Sequence, residues 1–209
     1  MEIVTVKAKD LTALKKQLYA SLTTSQLKER CPDEDSFYEE FAPIKQINIV
    51  ANVFDCIMGA YPTLAQVNKV YEKKVAQKWL VNQLCSMSDY LGYDVSFNED
   101  QLKELPVHIF MRYHWMKVSE LMLFFWLFKE EAFGNHYGRI EPAAITSALR
   151  DFVGEDGYRS KKIREIMQSI EEKYYELHDK HVDNSRDFLK EVQGVLATKF
   201  VNSSERKEE

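Results

Sequence analysis

The second half of the chain holds basic and aromatic side chains whose types suit contact with phosphate and nucleic-acid bases. The densest part is a basic cluster that starts at Arg159 and opens a predicted helix. Cations there oppose the helix dipole at a cost of up to about 1 kcal/mol, so the cluster either has a function or is a tolerated helix start. Arginine and lysine engage phosphate, and tyrosine stacks on bases. The predicted contact residues are Lys129, Tyr137, Arg139, Arg150, Arg159, Lys161, Lys162 and Arg164.

Glycines are concentrated around this group. Gly134, Gly138, Gly154 and Gly157 all fall here, although the chain has only 7 glycines. They indicate turns and helix ends on the surface, where binding residues are often found. Two interpretations stay open, because the turn at residues 133–139 either binds a partner or serves the fold alone.

Catalytic and metal-binding patterns are weak throughout the sequence. His178 and His181 share a helical face, but neither an HExxH motif nor a third ligand accompanies them, so a solvated helix end is the simpler interpretation. Glu104 and His108 have the spacing of an ordinary helix-surface pair. Phosphate-cradling glycine loops are absent from the sequence. We therefore expect no catalytic residue, no metal and no cofactor, and we expect the protein not to be an enzyme.

Composition predicts a soluble cytoplasmic protein. Cys31, Cys56 and Cys85 form no CxxC pair, as is typical of small buried side chains in a reducing compartment. The longest apolar run, LMLFFWLF, is far shorter than the ~20 residues that span a bilayer. A net charge of -5 limits any nucleic-acid contact to a local basic patch.

The helices that position these side chains are predicted from apolar periodicity, caps and breakers. With 7 glycines and 5 prolines among 209 residues, long helices are favoured over strands. We expect an all-α, irregular bundle of about eight helices, with a break or kink at Pro106 and Ser119 capping the LMLFFWLF helix. That helix is apolar nearly all round, which favours burial in the core over a seam for a partner or a second copy. The expected core helices are 64–91, 99–114, 119–132 and 142–153.

The expected organisation has four parts. Residues 1–60 form an N-terminal helical arm, whose packing on the rest the sequence leaves open, and residues 61–156 form the helical core with the glycine-aromatic turn. Residues 157–201 form a C-terminal helical hairpin, and 202–209 form a disordered polar tail.

The stretch VSELMLFFWLFKEEAFGNHYGRIEPAAITSALRDF resembles an uncharacterised family of small helical proteins encoded by phages and conjugative elements of gut bacteria. The resemblance covers about residues 61–152. It implies a non-catalytic accessory protein that binds protein or nucleic acid in DNA replication or maintenance. The matching residues are Glu120, Phe124, Phe125, Lys129, Phe133, Gly134, Tyr137, Gly138, Ile145, Leu149 and Phe152.

The alternative is a protein-protein adaptor or a homo-oligomeric structural component that contacts no nucleic acid. In that case the apolar faces of the C-terminal hairpin would dock the partner. Neither hypothesis involves a membrane.

Overall fold

The computed structural model describes residues 11–13, 15–16, 19–71, 74–92, 97–134 and 140–179, with side chains up to 175. Within those ranges the chain is all-α, as predicted, apart from one short helix of the 3-10 type at Pro43–Lys45. The α-helices are α1 (Thr24–Arg30), α2 (Glu34–Glu40), α3 (Gln46–Val50), α4 (Val53–Met58), α5 (Leu64–Val70), α6 (Val75–Leu91), α7 (Glu99–Tyr113), α8 (Val118–Lys129), α9 (Pro142–Val153) and α10 (Tyr158–Asp179).

Helix starts follow local side-chain chemistry. Thr63 and Asn98 accept hydrogen bonds from backbone N–H groups at the starts of α5 and α7, and glutamines three residues on complete both capping boxes. Pro142 occupies the first turn of α9, where its missing N–H costs nothing. These three predicted starts are confirmed.

Several predicted helices have different bounds. The expected 64–91 helix is two helices, with Lys74 in the left-handed region at φ 79° before α6. In the N-terminal arm, the apolar residues at helical spacing between 44 and 57 are divided among the 3-10 helix, α3 and α4. The expected break at Pro106 is wrong, because α7 continues through this residue. Ser119 is not the cap of α8, which begins one residue earlier at Val118.

Helix α8 lies at the centre of the core, as its apolar sequence predicts. All of its residues except Trp126 and Lys129 are buried. It packs against α3, α4, α6 and α9. Phe124 shows how closely α9 approaches, since its ring centroid lies 5.6 Å from that of Phe152.

The part of the N-terminal arm that the structure describes packs on the rest of the protein. Leu27, Phe37 and Phe41 are fully buried and belong to the same hydrophobic core as α8. The indole N–H of Trp79 in α6 donates to the carbonyl of Phe41 at 2.8 Å. These contacts answer, for residues 24–58, the question that the sequence left open.

Helix α10 follows the prediction for the first arm of the C-terminal hairpin. Its expected partner at about 184–200 lies outside the described residues, as do the segment 1–9 and the tail. No helix among the described residues has both the length and the apolar character to cross a membrane.

Candidate functional site

Arg159, expected on the surface, is buried beside a carboxylate. Its Nε lies 2.8 Å from Oε1 of Glu120, and the two residues are 8% and 1% exposed. The Tyr19 hydroxyl donates to the same carboxylate oxygen at 3.3 Å and accepts a hydrogen bond from Arg159. Because Arg159 is buried and bonded to other side chains of the protein, this position is not compatible with the contact with phosphate that the sequence predicts for it.

Lys117 completes this buried group, which we call the Glu120 cluster (Tyr19, Lys117, Glu120 and Arg159). Its Nζ donates to the carbonyls of Ile57 and Gly59, each at 2.9 Å, and its backbone N–H donates to Glu120 at 3.0 Å. Burial lowers the pKa of Lys117 to about 8, although Glu120 opposes the shift. Burial also raises the pKa of Tyr19 to about 12.

The Glu120 cluster ties distant elements together. Through it, α8 is bonded to α10, to the end of α4 and to the segment at Tyr19. Its charged groups are engaged with one another or with backbone carbonyls, which is how buried charges persist in a protein interior. These contacts give the Glu120 cluster a structural role, because they hold separate parts of the fold together.

The remaining predicted binding residues have different surroundings. Lys129 is partly buried, with its Nζ 2.8 Å from Oε1 of Gln46, and burial lowers its pKa. Lys162 pairs with Glu165 at 2.8 Å. Arg164 is exposed and donates to the Glu155 carbonyl at 2.7 Å. Lys161 and Arg150 are exposed, and Tyr137 and Arg139 lie outside the described residues.

Arg150 lies at an open groove between α7 and α9, which we call the α7–α9 groove. Its volume is about 630 Å³, within the usual range for ligand pockets. The apolar part of the lining comes from Ile109, Met111, Tyr113 and Ala143. The polar part comes from His108, Arg112, Thr146, Ser147 and Arg150, and none of the lining residues is a carboxylate.

A row of exposed apolar side chains follows α7 beside this groove. Val107 is 40% exposed, Met111 72% and Trp115 44%. The indole N–H of Trp115 donates to the Arg112 carbonyl at 3.2 Å, and the Arg159 guanidinium lies 4.9 Å from its ring centroid. Trp115 therefore connects the groove to the Glu120 cluster.

Lys117, Glu120 and Arg112 were not among the predicted site residues, although Glu120 is one of the residues that carry the family resemblance. Glu120 had a usable signal, because a lone carboxylate among nearly continuous apolar residues is expected to be paired when it is buried. Arg112 had only its place in the last turn of α7, which is ordinary for a cation. The described residues include no cluster of His, Cys, Asp and Glu suited to a metal ion.

Comparison with known proteins supports the expectation of an uncharacterised domain. Residues 98–179 match the model of DUF6633, a family of unknown function. No curated protein matches the chain. No solved structure matches it either. The matched segment runs from the cap of α7 to the end of α10 and contains the whole lining of the α7–α9 groove.

Proposed function

We propose that the protein is a non-catalytic accessory protein that binds a protein or nucleic-acid partner through the α7–α9 groove. The observation that carries the proposal is the lining, which has two arginines and a histidine but no carboxylate. Such a lining favours an anionic partner because its own charged side chains are cationic, while the carboxylate of Asp151 lies outside the lining at 4.0 Å from Arg150 Nε.

The contrast with the protein interior supports binding over catalysis. The most strongly buried ionic groups, in the Glu120 cluster, already bond to one another and to backbone carbonyls. A reactive group needs an accessible position beside its substrate. In the groove the polar side chains are donors suited to recognition.

The resemblance of residues 61–152 to proteins of phages and conjugative elements supports a more specific role. We place the protein in the cytoplasm as an accessory factor of a bacterial mobile element, acting in DNA replication or maintenance. Neither a cofactor nor a membrane takes part.

An affinity pull-down from host lysate tests this role, with and without nuclease and at two salt concentrations. We expect nucleic acid or replication proteins to be captured at low salt and released at high salt, because contacts with phosphates weaken steeply with salt. The double variant Arg112→Glu and Arg150→Glu, which reverses the charge of both arginines in the groove lining, should lose this capture. Arg159 is left intact because it is buried beside Glu120.

Lys28→Glu is the matched control, since Lys28 is an exposed cation on α1, outside the groove. It should leave capture unchanged. Capture that survives the double variant would show that these two arginines are not the contact residues.

A second candidate function, a homo-oligomeric adaptor, is favoured by exposed apolar residues elsewhere. Ile44 is 86% exposed, Ile47 57% and Tyr90 70%. Large exposed apolar side chains are typical of association surfaces when they lie together. Light scattering over a concentration series distinguishes the candidates, because a strict monomer excludes self-association.

A further inference from the structure

We propose that the α7–α9 groove is the docking site for an acidic amphipathic helix of a partner protein. This inference rests on the proposed binding function and specifies its partner. It depends on the groove's shape, its charge and the preset position of Trp115.

The exposed row on α7 sets the shape of the occupant. Val107 and Met111 lie four residues apart on one face of α7, and Trp115 lies just beyond the end of this helix at Tyr113. At a rise of about 1.5 Å per residue, the helical part of the row extends over about 6 Å, or roughly one helical turn, and Trp115 continues the row past the helix end. A partner helix that runs along α7 towards Trp115 matches the apolar character of the row.

The groove's charges set the sign of the occupant's polar side. Arg112 and Arg150 come from opposite walls, and His108 lies on the same wall as Arg112. Within the described residues, the partners of Arg150 are close in sequence: its Nη2 lies 2.9 Å from Ser147 Oγ and its Nε lies 4.0 Å from Asp151 Oδ1. Both arginines therefore suit carboxylates flanking the apolar face of an incoming helix.

A protein helix fits this site better than a nucleic-acid backbone. Nucleic-acid surfaces usually carry a stripe of lysine and arginine, whereas this groove has two arginines on a chain of net charge -5. Ile109, Met111 and Ala143 supply an apolar part of the lining to which phosphates cannot bond, whereas the apolar face of a helix can pack against it. Methionine adapts readily to the side chains of a bound helix.

Trp115 is held in place before any partner arrives. Its indole N–H is bonded to the Arg112 carbonyl, and its ring lies against the buried Arg159 guanidinium. Tryptophan and arginine are frequent binding hot spots, and an ordered side chain loses less entropy on association. The Glu120 cluster thereby positions one end of the docking row.

The test is selection of a displayed library of random helical peptides on the immobilised full chain, followed by fluorescence anisotropy of the enriched peptides. On the wild-type protein we expect enrichment of Asp and Glu beside apolar residues at helical spacing. The double variant Arg112→Glu and Arg150→Glu should bind those peptides about tenfold or more weakly, because it loses the contacts of both arginines with the carboxylates of the peptide. The same variant should itself select peptides rich in Lys and Arg.

Two further variants separate the contributions. Met111→Ala should weaken the selected peptides several-fold, because Met111 belongs to the exposed row, and Lys28→Glu should leave their affinity unchanged. Enriched peptides without acidic residues, or equal binding to the double variant, would overturn the inference.

Single-stranded DNA is the second probe, so that the two proposals can fail separately. If the double variant loses DNA binding while no acidic peptide is enriched, the docking inference is wrong and the proposed function stands. If neither peptide nor DNA depends on the two arginines, both proposals fail.

Discussion

The Glu120 cluster and the α7–α9 groove use the same residue types in opposite ways. Arg159 is 8% exposed and bonded to a carboxylate, whereas Arg150 lies exposed at a groove whose lining has no carboxylate. Both belong to the basic group that the sequence predicts as one surface. Basic residues close in sequence can therefore have separate roles, one inside the fold and the other, as we propose for Arg150, in recognition.

The physical reason is the cost of burying a charge. A buried cation needs a carboxylate or several carbonyls, and Arg159 and Lys117 have these partners. An exposed arginine stays hydrated, and ion pairs with its neighbours stabilise the protein only slightly, so its guanidinium remains available to a ligand.

Glu120→Ala should have the largest effect on stability, because Arg159 and Lys117 stay buried without the carboxylate that offsets their positive charge. Removing one partner of a buried ion pair lowers the free energy of unfolding by about 3–5 kcal/mol. Urea unfolding followed by circular dichroism measures this change. The control is Glu99→Ala, which removes an exposed pair with Lys103 and should cost less than about 1 kcal/mol. Equal costs for the two variants would contradict a structural role for the cluster.

Lys117→Met should alter how stability depends on pH. The pKa of Lys117 is about 8 in the folded protein and 10.5 as its ordinary value, so between these pH values the unfolded chain binds more protons. Between these pH values, Lys117 therefore raises the free energy of unfolding of the wild type by up to about 1.4 kcal/mol per pH unit. Below about pH 8, Lys117 is charged in both states, so the cost of burying its charge is present in full. The variant lacks this contribution.

Unfolding free energies of wild type and Lys117→Met, measured across that pH window, check the prediction. The difference between the two proteins should shift in favour of wild type as pH rises. Tyr19 is present in both proteins, so the comparison largely removes its own titration. A constant difference would show that Lys117 titrates normally in the folded state.

Ser119→Ala should have an intermediate effect. The Ser119 hydroxyl donates to the buried carbonyl of Cys56 at 2.6 Å, and losing this bond leaves the carbonyl unsatisfied at a cost of about 1–3 kcal/mol. Thr146→Ala is the matched change at the groove, where a hydroxyl donates to the Ala143 carbonyl at 3.1 Å in an exposed position. Water can replace that bond, so thermal unfolding should show a much smaller shift for Thr146→Ala.

The double variant Arg112→Glu and Arg150→Glu should have the smallest effect on folding. Surface substitutions usually change stability by less than about 0.5 kcal/mol each. Thermal unfolding should therefore be nearly that of wild type, while binding of acidic peptides is lost. A large loss of stability would place these arginines among the structural residues.

Local features of the fold were predictable from sequence. The caps at Thr63 and Asn98 depend on neighbouring residues alone, and the burial of α8 follows from its nearly uniform apolar sequence. The left-handed backbone at Lys74 had no glycine or asparagine to signal it. The sequence allowed a kink near Glu72 in the predicted helix, but it did not indicate that two separate helices form.

The candidate site was less predictable because it depends on distant parts of the chain. Arg159 meets Glu120 only when α10 packs beside α8, and nothing in the local pattern around Arg159 shows its partner. The groove likewise exists because α7 and α9 lie side by side with space between them. Sequence identified Arg150 by its residue type, and the fold added Arg112, Met111 and Trp115.

Equilibrium unfolding of Arg159→Ala and Arg150→Ala compares the same substitution in the Glu120 cluster and at the α7–α9 groove. We predict a loss of about 3–5 kcal/mol for Arg159→Ala, which leaves Glu120 buried and unpaired. Arg150→Ala should stay within about 0.5 kcal/mol of wild type. Similar losses for both variants, or a larger loss for Arg150→Ala, would contradict the division between a structural cluster and an open binding groove.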